Sequence, residues 1–522
     1  MRKIIAFSLA ITMLCALALP AIAILPQEER LPLIIVNGMG ESPLLTPSGE
    51  SAFLPSSDAI TQAVLNIVPL VPLLAFNTDL FGDFAYPILR DLFDDIAFLP
   101  GGTPKYELGQ VRFPDSYAED KTGMINTISH GGLARLYGEE RSYQYVIDWR
   151  KSGLEEAGGL HEMIQRVKRE HNTERVNLIA VSMGGKTALG YLARYGHGDI
   201  HNLTFMHSVF QGMLLVGDLF NGRLTFGNAN MKRFLDETVH DEPLAGIINV
   251  LWQVFDMVGA IDGTLGLVER LAEALMPRLN DEFITPIFGQ LPGFWGLVPG
   301  DDFESAKELL LDPAKHSSLI EMIDDYHYNA YLRAGELFAA AMEDGRNIYV
   351  LSGYNLMGFP IGPRADAHTD DGLSTATTSG GAIVAPLGQA LGNHYKQAVN
   401  CGHNHICPDN FIDASTCLLP EHTWFQKNLG HADFRSEECL RFLLWLLASE
   451  ERLNVRSNPA YPQFTLYEAG RLLPLGGGES LGGHARLEIP PTGDHAWVAW
   501  LLVAVLGASV FSMRKLSKQE SP

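Results

Sequence analysis

Two loops and one turn carry the residue types that acyl-transfer chemistry needs. Ile179-Ala180-Val181-Ser182-Met183-Gly184-Gly185 sets a serine between an apolar run and a glycine pair. A serine hydroxyl attacks a carbonyl only when a histidine takes its proton and an acid orients that histidine. Where such a serine stands on an abrupt strand-to-helix turn, bulk is excluded two residues before and after it, which gives the usual G-x-S-x-G. Ala180 and Gly184 fill those places here. In this arrangement acid and base follow the serine in that order along the chain. His368-Thr369-Asp370-Asp371-Gly372-Leu373-Ser374 offers the acid, and Asn428-Leu429-Gly430-His431-Ala432-Asp433-Phe434 offers the base. His422 stands before a strand, a place for a packing or surface residue. His403 and His405 fall in a cysteine-bounded turn and read as solvated.

The elements that must position these groups alternate. Leu33-Ile34-Ile35-Val36 is a continuous apolar run suited to a strand buried on both faces, broken by Asn37-Gly38-Met39-Gly40. Tyr143 to Asp148 reads as a strand, Gly159 to Glu170 as a helix, Val176 to Val181 as a strand and Met183 to Tyr195 as a helix. Asn202 to Met206 is a further short strand. Strand and helix in alternation predict an α/β fold, a mainly parallel sheet flanked by helices. From 208 to 343 long apolar stretches such as 244–261 predict a mostly helical cap inserted into it. Sheet-like sequence resumes at Asn347 to Leu351 and Thr423 to Lys427, and a last helix spans Glu437 to Ala448.

Tyr145-Val146-Ile147-Asp148-Trp149-Arg150 is similar to the Y-D-W-R strand end of the lecithin–cholesterol acyltransferase family of lipases and lysosomal phospholipases. The resemblance continues through the following helix and the serine turn, then passes to the Asp-Gly loop and the final Gly-x-x-His segment, about a quarter of the chain. It implies an α/β-hydrolase fold with Ser182 as nucleophile, Asp371 as orienting acid and His431 as base. It further implies backbone N–H groups of Met39 and Met183 as the oxyanion hole. Where the family carries Gly and His, this chain has Ala180 and Val181. Its acid loop reads Asp370-Asp371-Gly372, so Asp370 competes with Asp371. Asp148-Trp149-Arg150 itself reads as a strand-end turn with an internal ion pair.

The ends of the chain predict export and anchoring. Residues 1–23 combine a basic start, an apolar run and Ala21-Ile22-Ala23, the pattern of a cleaved signal peptide. Residues 496–513 are an uncharged apolar run long enough to cross a bilayer, with Arg514, Lys515 and Lys518 behind it. Ile489-Pro490-Pro491-Thr492-Gly493 precedes it, and 489–522 resembles a Gram-positive sortase sorting signal. That resemblance implies transfer by sortase to cell-wall peptidoglycan through Thr492; a plain membrane anchor through 496–513 is the alternative. Pro, Gly and Arg make 455–488 read as a spacer. The hydrolase core is then 24–207 and 344–454, and the chain works at the cell surface.

Hydrophobic residues make up 46% of the 522, enough for conventional cores. Acidic residues outnumber basic ones 61 to 38, and a net charge of −23 repels a phosphate backbone, so no nucleic-acid partner is expected. Cys401, Cys407, Cys417 and Cys439 lie close in sequence, and an exported setting predicts disulfides among them. Free thiols, or a metal bound within Cys401-Gly-His403-Asn-His405-Ile-Cys407, are the other readings, although that spacing fits no familiar paired-cysteine zinc pattern. No cofactor or metal is expected at the serine site. The function expected is an extracellular lipase- or phospholipase-like hydrolase of lipid carboxylic esters, working through an acyl-enzyme on Ser182. An O-acyltransferase passing the acyl chain to an alcohol is one rival. A catalytically inactive surface-binding protein is the other.

Overall fold

The computed structural model describes residues 25–49, 52, single positions between 59 and 73, 77–110, 115–119, 131–223, 277–359, 362–431, 433–434 and 436–476. The expected signal segment, residues 224–276 of the inserted cap and the sorting signal with its apolar span lie outside the described residues.

Eight strands form the main sheet: β1 Leu33–Val36, β2 Ser142–Tyr145, β3 Val176–Ser182, β4 Ile200–Ser208, β5 Asn347–Tyr354, β6 Thr423–Lys427, β7 Phe464–Glu468 and β8 Arg471–Pro474. Their order across the sheet is β8-β7-β6-β5-β4-β3-β1-β2. Every neighbouring pair is parallel except the edge hairpin of β7 and β8. Central strands in such a sheet are covered on both faces, and their side chains alternate between two cores. Ile34, Val36, Leu178, Ala180, Leu203, Phe205, Ile348 and Val350 point into one core. Leu33, Ile35, Ile179, Val181, Met206, Tyr349 and Leu351 point into the other.

Nine α-helices of seven residues or more flank the sheet among the described residues: α1 Thr78–Phe93, α2 Gly131–Tyr137, α3 Gly153–Glu170, α4 Gly184–Tyr195, α5 Leu214–Phe220, α6 Gly300–Leu310, α7 Ser317–Tyr326, α8 Ala334–Glu343 and α9 Glu437–Ala448. The first face takes α3, α4 and the described helices of the 277–343 stretch, including α6 to α8; α2 and α9 cover the second. α3 starts where the Ser152 hydroxyl caps the Leu154 N–H, and α9 where Ser436 caps Cys439. α3 and α4 cross so closely that a Cβ on Gly190 would run into the Gly153 carbonyl.

The stretch from 455 is not a spacer throughout. β7 and β8 join the sheet there, linked by Ala469 and Gly470, both at positive φ (49° and 79°). A two-residue hairpin turn needs that backbone handedness, and the Pro- and Gly-rich composition around it hides the strand pattern. No helix among the described residues is long and apolar enough to cross a membrane.

Candidate active site

Ser182 ends β3 with φ +50°, left-handed backbone that a non-glycine residue adopts at a cost of about 1–3 kcal/mol. The turn is possible because its surroundings are glycine. A Cβ on Gly38 would stand 2.6 Å from Ser182 Cβ and 3.2 Å from its Oγ. On Gly184 it would strike the Val36 carbonyl, and on Gly185 the Ser208 hydroxyl. The serine is therefore pressed between the loop after β1 and the first turn of α4. The strand order reverses at β1, and the crevice at the carboxyl ends of strands beside such a reversal is where open α/β sheets bind ligands.

Two further groups gather at the same strand ends. Between β3 and β4 the register shifts: Val181 faces Met206, but Ser182 faces Ser208. His207 is the extra residue, at φ +44°, and this bulge re-aims its ring. His207 is fully buried, its Nδ1 3.0 Å from Asp370 Oδ2, its ring edge-on to Phe434 at 4.7 Å. His431, four residues beyond the end of β6 at Lys427, is buried as well. Its Nδ1 lies 2.9 Å from the same Asp370 oxygen.

Asp370 is held ready for this. Its other oxygen, Oδ1, accepts the N–H groups of Leu373 (2.6 Å) and Gly372 (3.2 Å), a local turn that fixes the carboxylate plane. Complete burial alone would raise its pKa. The charge on His431 and hydrogen bonds from His207 and His431 outweigh it and hold Asp370 far below the ordinary carboxylate range. Gly353, in β5, is needed here too: a Cβ would come 2.7 Å from Asp370 Cβ and 2.8 Å from His207 Cε1.

In the structure it is Asp370, the competing residue of the pair, that faces His431 Nδ1. Asp371 stands at φ +78°, and its Oδ1 accepts the main-chain N–H of His431 at 3.4 Å. A Cβ on Gly430 would meet its Oδ2 at 2.7 Å. The carboxylate at His431 Nδ1 is that of Asp370. Sequence reasoning also missed His207; the available signal was a titratable residue directly after a strand expected beside the serine's strand.

Met183 stands at the N-terminus of α4 with φ −63°, directly after the serine. Met39 follows Gly38 in the loop that passes over Ser182, and the Ser42 N–H closes its turn on the Met39 carbonyl. Asp148 and Arg150 form the expected ion pair, with Arg150 Nε and Nη2 on the two carboxylate oxygens at 2.9 and 2.8 Å. Lys186, fully buried, ties α4 to that turn through the carbonyls of Trp149 (3.0 Å) and Lys151 (2.6 Å). The Gly293 N–H, from the inserted region, reaches the Arg150 carbonyl at 2.7 Å. The Tyr-to-Arg motif is thus a docking point between core and insertion.

A small depression beside the acid loop is lined by Leu214, Leu215, Phe359 and Ala365 together with the charged Asp218 and Arg364. The cysteines are not paired: Cys401 is an exposed free thiol, and Cys407, Cys417 and Cys439 are buried free thiols. Each buried thiol fills an apolar or hydrogen-bonded place instead, as Cys407 does beside the Tyr354 hydroxyl at 3.2 Å. His405 is likewise not a solvated turn residue, being 1% exposed. The chain matches no model of a known protein family and no curated protein.

Proposed function

We propose that the protein is a serine hydrolase of the α/β-hydrolase fold that cleaves carboxylic esters of lipids. On this reading it is exported and held at the cell surface by 489–522. The observation that carries the proposal is Ser182 in left-handed backbone at a strand-to-helix turn, at the same sheet edge as a buried Asp370–His431 pair. Asp370 on Nδ1 keeps the His431 proton there, which leaves Nε2 as the base. Ser182 Oγ attacks the acyl carbon and gives its proton to His431. The tetrahedral oxyanion meets the N–H groups of Met183 and Met39. His431 then protonates the departing alcohol, and water, deprotonated by His431, releases the acid from the acyl-enzyme.

A fluorophosphonate probe applied to the detergent-solubilised full chain tests this directly. Adduct mapping to the Ser182 peptide is expected, with labelling and hydrolysis of short acyl esters both abolished in Ser182→Ala. Ester turnover persisting in a folded Ser182→Ala chain defeats the proposal.

A further inference from the structure

Away from the serine site, four potential metal donors converge where the loop 391–411 meets the start of β6. Cys401 Sγ, one ring nitrogen each of His403 and His405, and a Glu421 oxygen all lie within 4.8 Å of one another. His403 Nδ1 is 2.8 Å and His405 Nε2 3.2 Å from Glu421 Oε1.

The tautomer of His405 follows from its neighbours. Gln463 Nε2 donates to the carbonyls of Pro420 (2.7 Å) and Thr423 (3.2 Å), so its Oε1 is the acceptor facing His405 Nδ1 at 2.7 Å. Nδ1 therefore carries the hydrogen, and in the neutral ring Nε2 presents a lone pair. That nitrogen is buried, has no hydrogen-bond partner, and faces a carboxylate oxygen across 3.2 Å. A lone pair and a carboxylate at this separation repel unless a cation lies between them. A metal-bound imidazole almost always donates its other ring N–H to an oxygen acceptor, the place that Gln463 Oε1 takes here.

The remaining donors are held in the same way. Gln397 donates through Nε2 to the carbonyls of Val399 and His403 and accepts the His405 N–H at 2.7 Å, shaping the turn that carries Cys401 and His403. Arg456 pairs with Glu421 Oε2, leaving Oε1 for the cluster. We propose that Cys401, His403, His405 and Glu421 bind one divalent cation of the zinc class.

One thiolate, two imidazoles and one carboxylate make a borderline-soft set that suits zinc, and its two negative charges balance the ion. With zinc–nitrogen bonds near 2.0–2.1 Å and zinc–sulfur near 2.3 Å, tetrahedral donors stand about 3.3–3.6 Å apart, so the cluster needs only small side-chain shifts. Four protein donors close the coordination shell, which makes the site structural. It would staple the loop to Glu421, two residues ahead of the strand whose far end leads to His431. Binding releases the Cys401 thiol proton to solvent, with no redox change.

The test is elemental analysis and cobalt substitution on the detergent-solubilised full chain. One zinc per chain surviving gel filtration is expected. After chelation and cobalt loading, tetrahedral d–d bands and a thiolate-to-cobalt charge-transfer band should appear. Cys401→Ser, a change at an exposed side chain, should remove the charge-transfer band, and His405→Ala should reduce metal content at least tenfold. Chelation should also open the loop 391–411 to protease in the parent chain. Chains that take up no stoichiometric zinc when it is offered overturn the proposal, because a proton on His405 then supplies the cation. So does metal content unchanged in both variants with no thiolate band, which puts the ion elsewhere. Ser182 chemistry plays no part in these readouts.

Discussion

Replacing Asp370 by asparagine separates the structure's acid from its sequence neighbour. The Leu373 and Gly372 N–H groups, at 2.6 and 3.2 Å, need an acceptor, so an asparagine here must place its carbonyl oxygen where Oδ1 stands. Its amide nitrogen then occupies the Oδ2 place, 2.9 Å from His431 Nδ1 and 3.0 Å from His207 Nδ1, and donates to both. His431 is forced to leave Nδ1 unprotonated and carry its hydrogen on Nε2, where it can no longer accept the serine proton. A wrong-tautomer change of this kind lowers kcat by about 10⁴-fold, roughly 5.5 kcal/mol of transition-state stabilisation. Asp371→Asn keeps an acceptor for the His431 main-chain N–H, whose 3.4 Å bond is weak, and should cost under about tenfold. Initial rates on a short-chain nitrophenyl ester, with thermal melting as a control for folding, compare the two. A loss in Asp371→Asn equal to that in Asp370→Asn, or less than about tenfold in Asp370→Asn, would refute the assignment of Asp370.

Gly38→Ala forces a methyl group to 2.6 Å from Ser182 Cβ. Overpacking of that size costs about 1–3 kcal/mol, and fluorophosphonate labelling should fall at least tenfold; unchanged labelling would mean that the loop after β1 does not lie over the serine. Stability should also decline in acid. Burial holds His368 neutral in the folded chain, with its pKa lowered from 6.5 to about 4. The unfolded chain takes up that proton as pH falls through 6.5, whereas the folded chain resists until about 4. The contribution is therefore intact above pH 6.5, shrinks between 6.5 and 4, and reaches about 3 kcal/mol in full. His368→Phe, which keeps a ring against Phe411 and Tyr354, should flatten the dependence of the urea midpoint over that range. An unchanged slope would show that another group sets it.

The elements of the site were legible where composition and backbone geometry agree. Leu33–Val36 and Val176–Val181 are apolar on both faces, and only a strand inside a covered parallel sheet buries both. Ala180, Gly184 and Gly185 announce a turn too tight for side chains, and Ser182 stands in it at positive φ. The acid was not legible. Asp370 and Asp371 differ in role only through the turn that the Asp370 side chain makes with Gly372 and Leu373, a matter of side-chain direction within one loop. His207 was hidden for a related reason, since its aim depends on a register shift between β3 and β4 that no residue pattern marks. The hairpin of β7 and β8 was missed because glycine and proline signal a linker and a tight turn alike.

His207 changes what the acid must do. Asp370 Oδ2 faces two imidazole nitrogens at 2.9 and 3.0 Å, while Oδ1 is saturated by two backbone N–H groups. Two backbone N–H groups and two close imidazoles keep this carboxylate ionised despite complete burial. It faces two rings at once, and His207 sits in a bulge, fully buried, with Phe434 packed at right angles to it. The fixed ring holds Asp370 from the β4 side as the acid's own turn holds it from the other. On the proposed reading one Asp370 oxygen then sets both the tautomer and the direction of His431, and Gly353 is the empty volume that lets Asp370 and His207 approach each other.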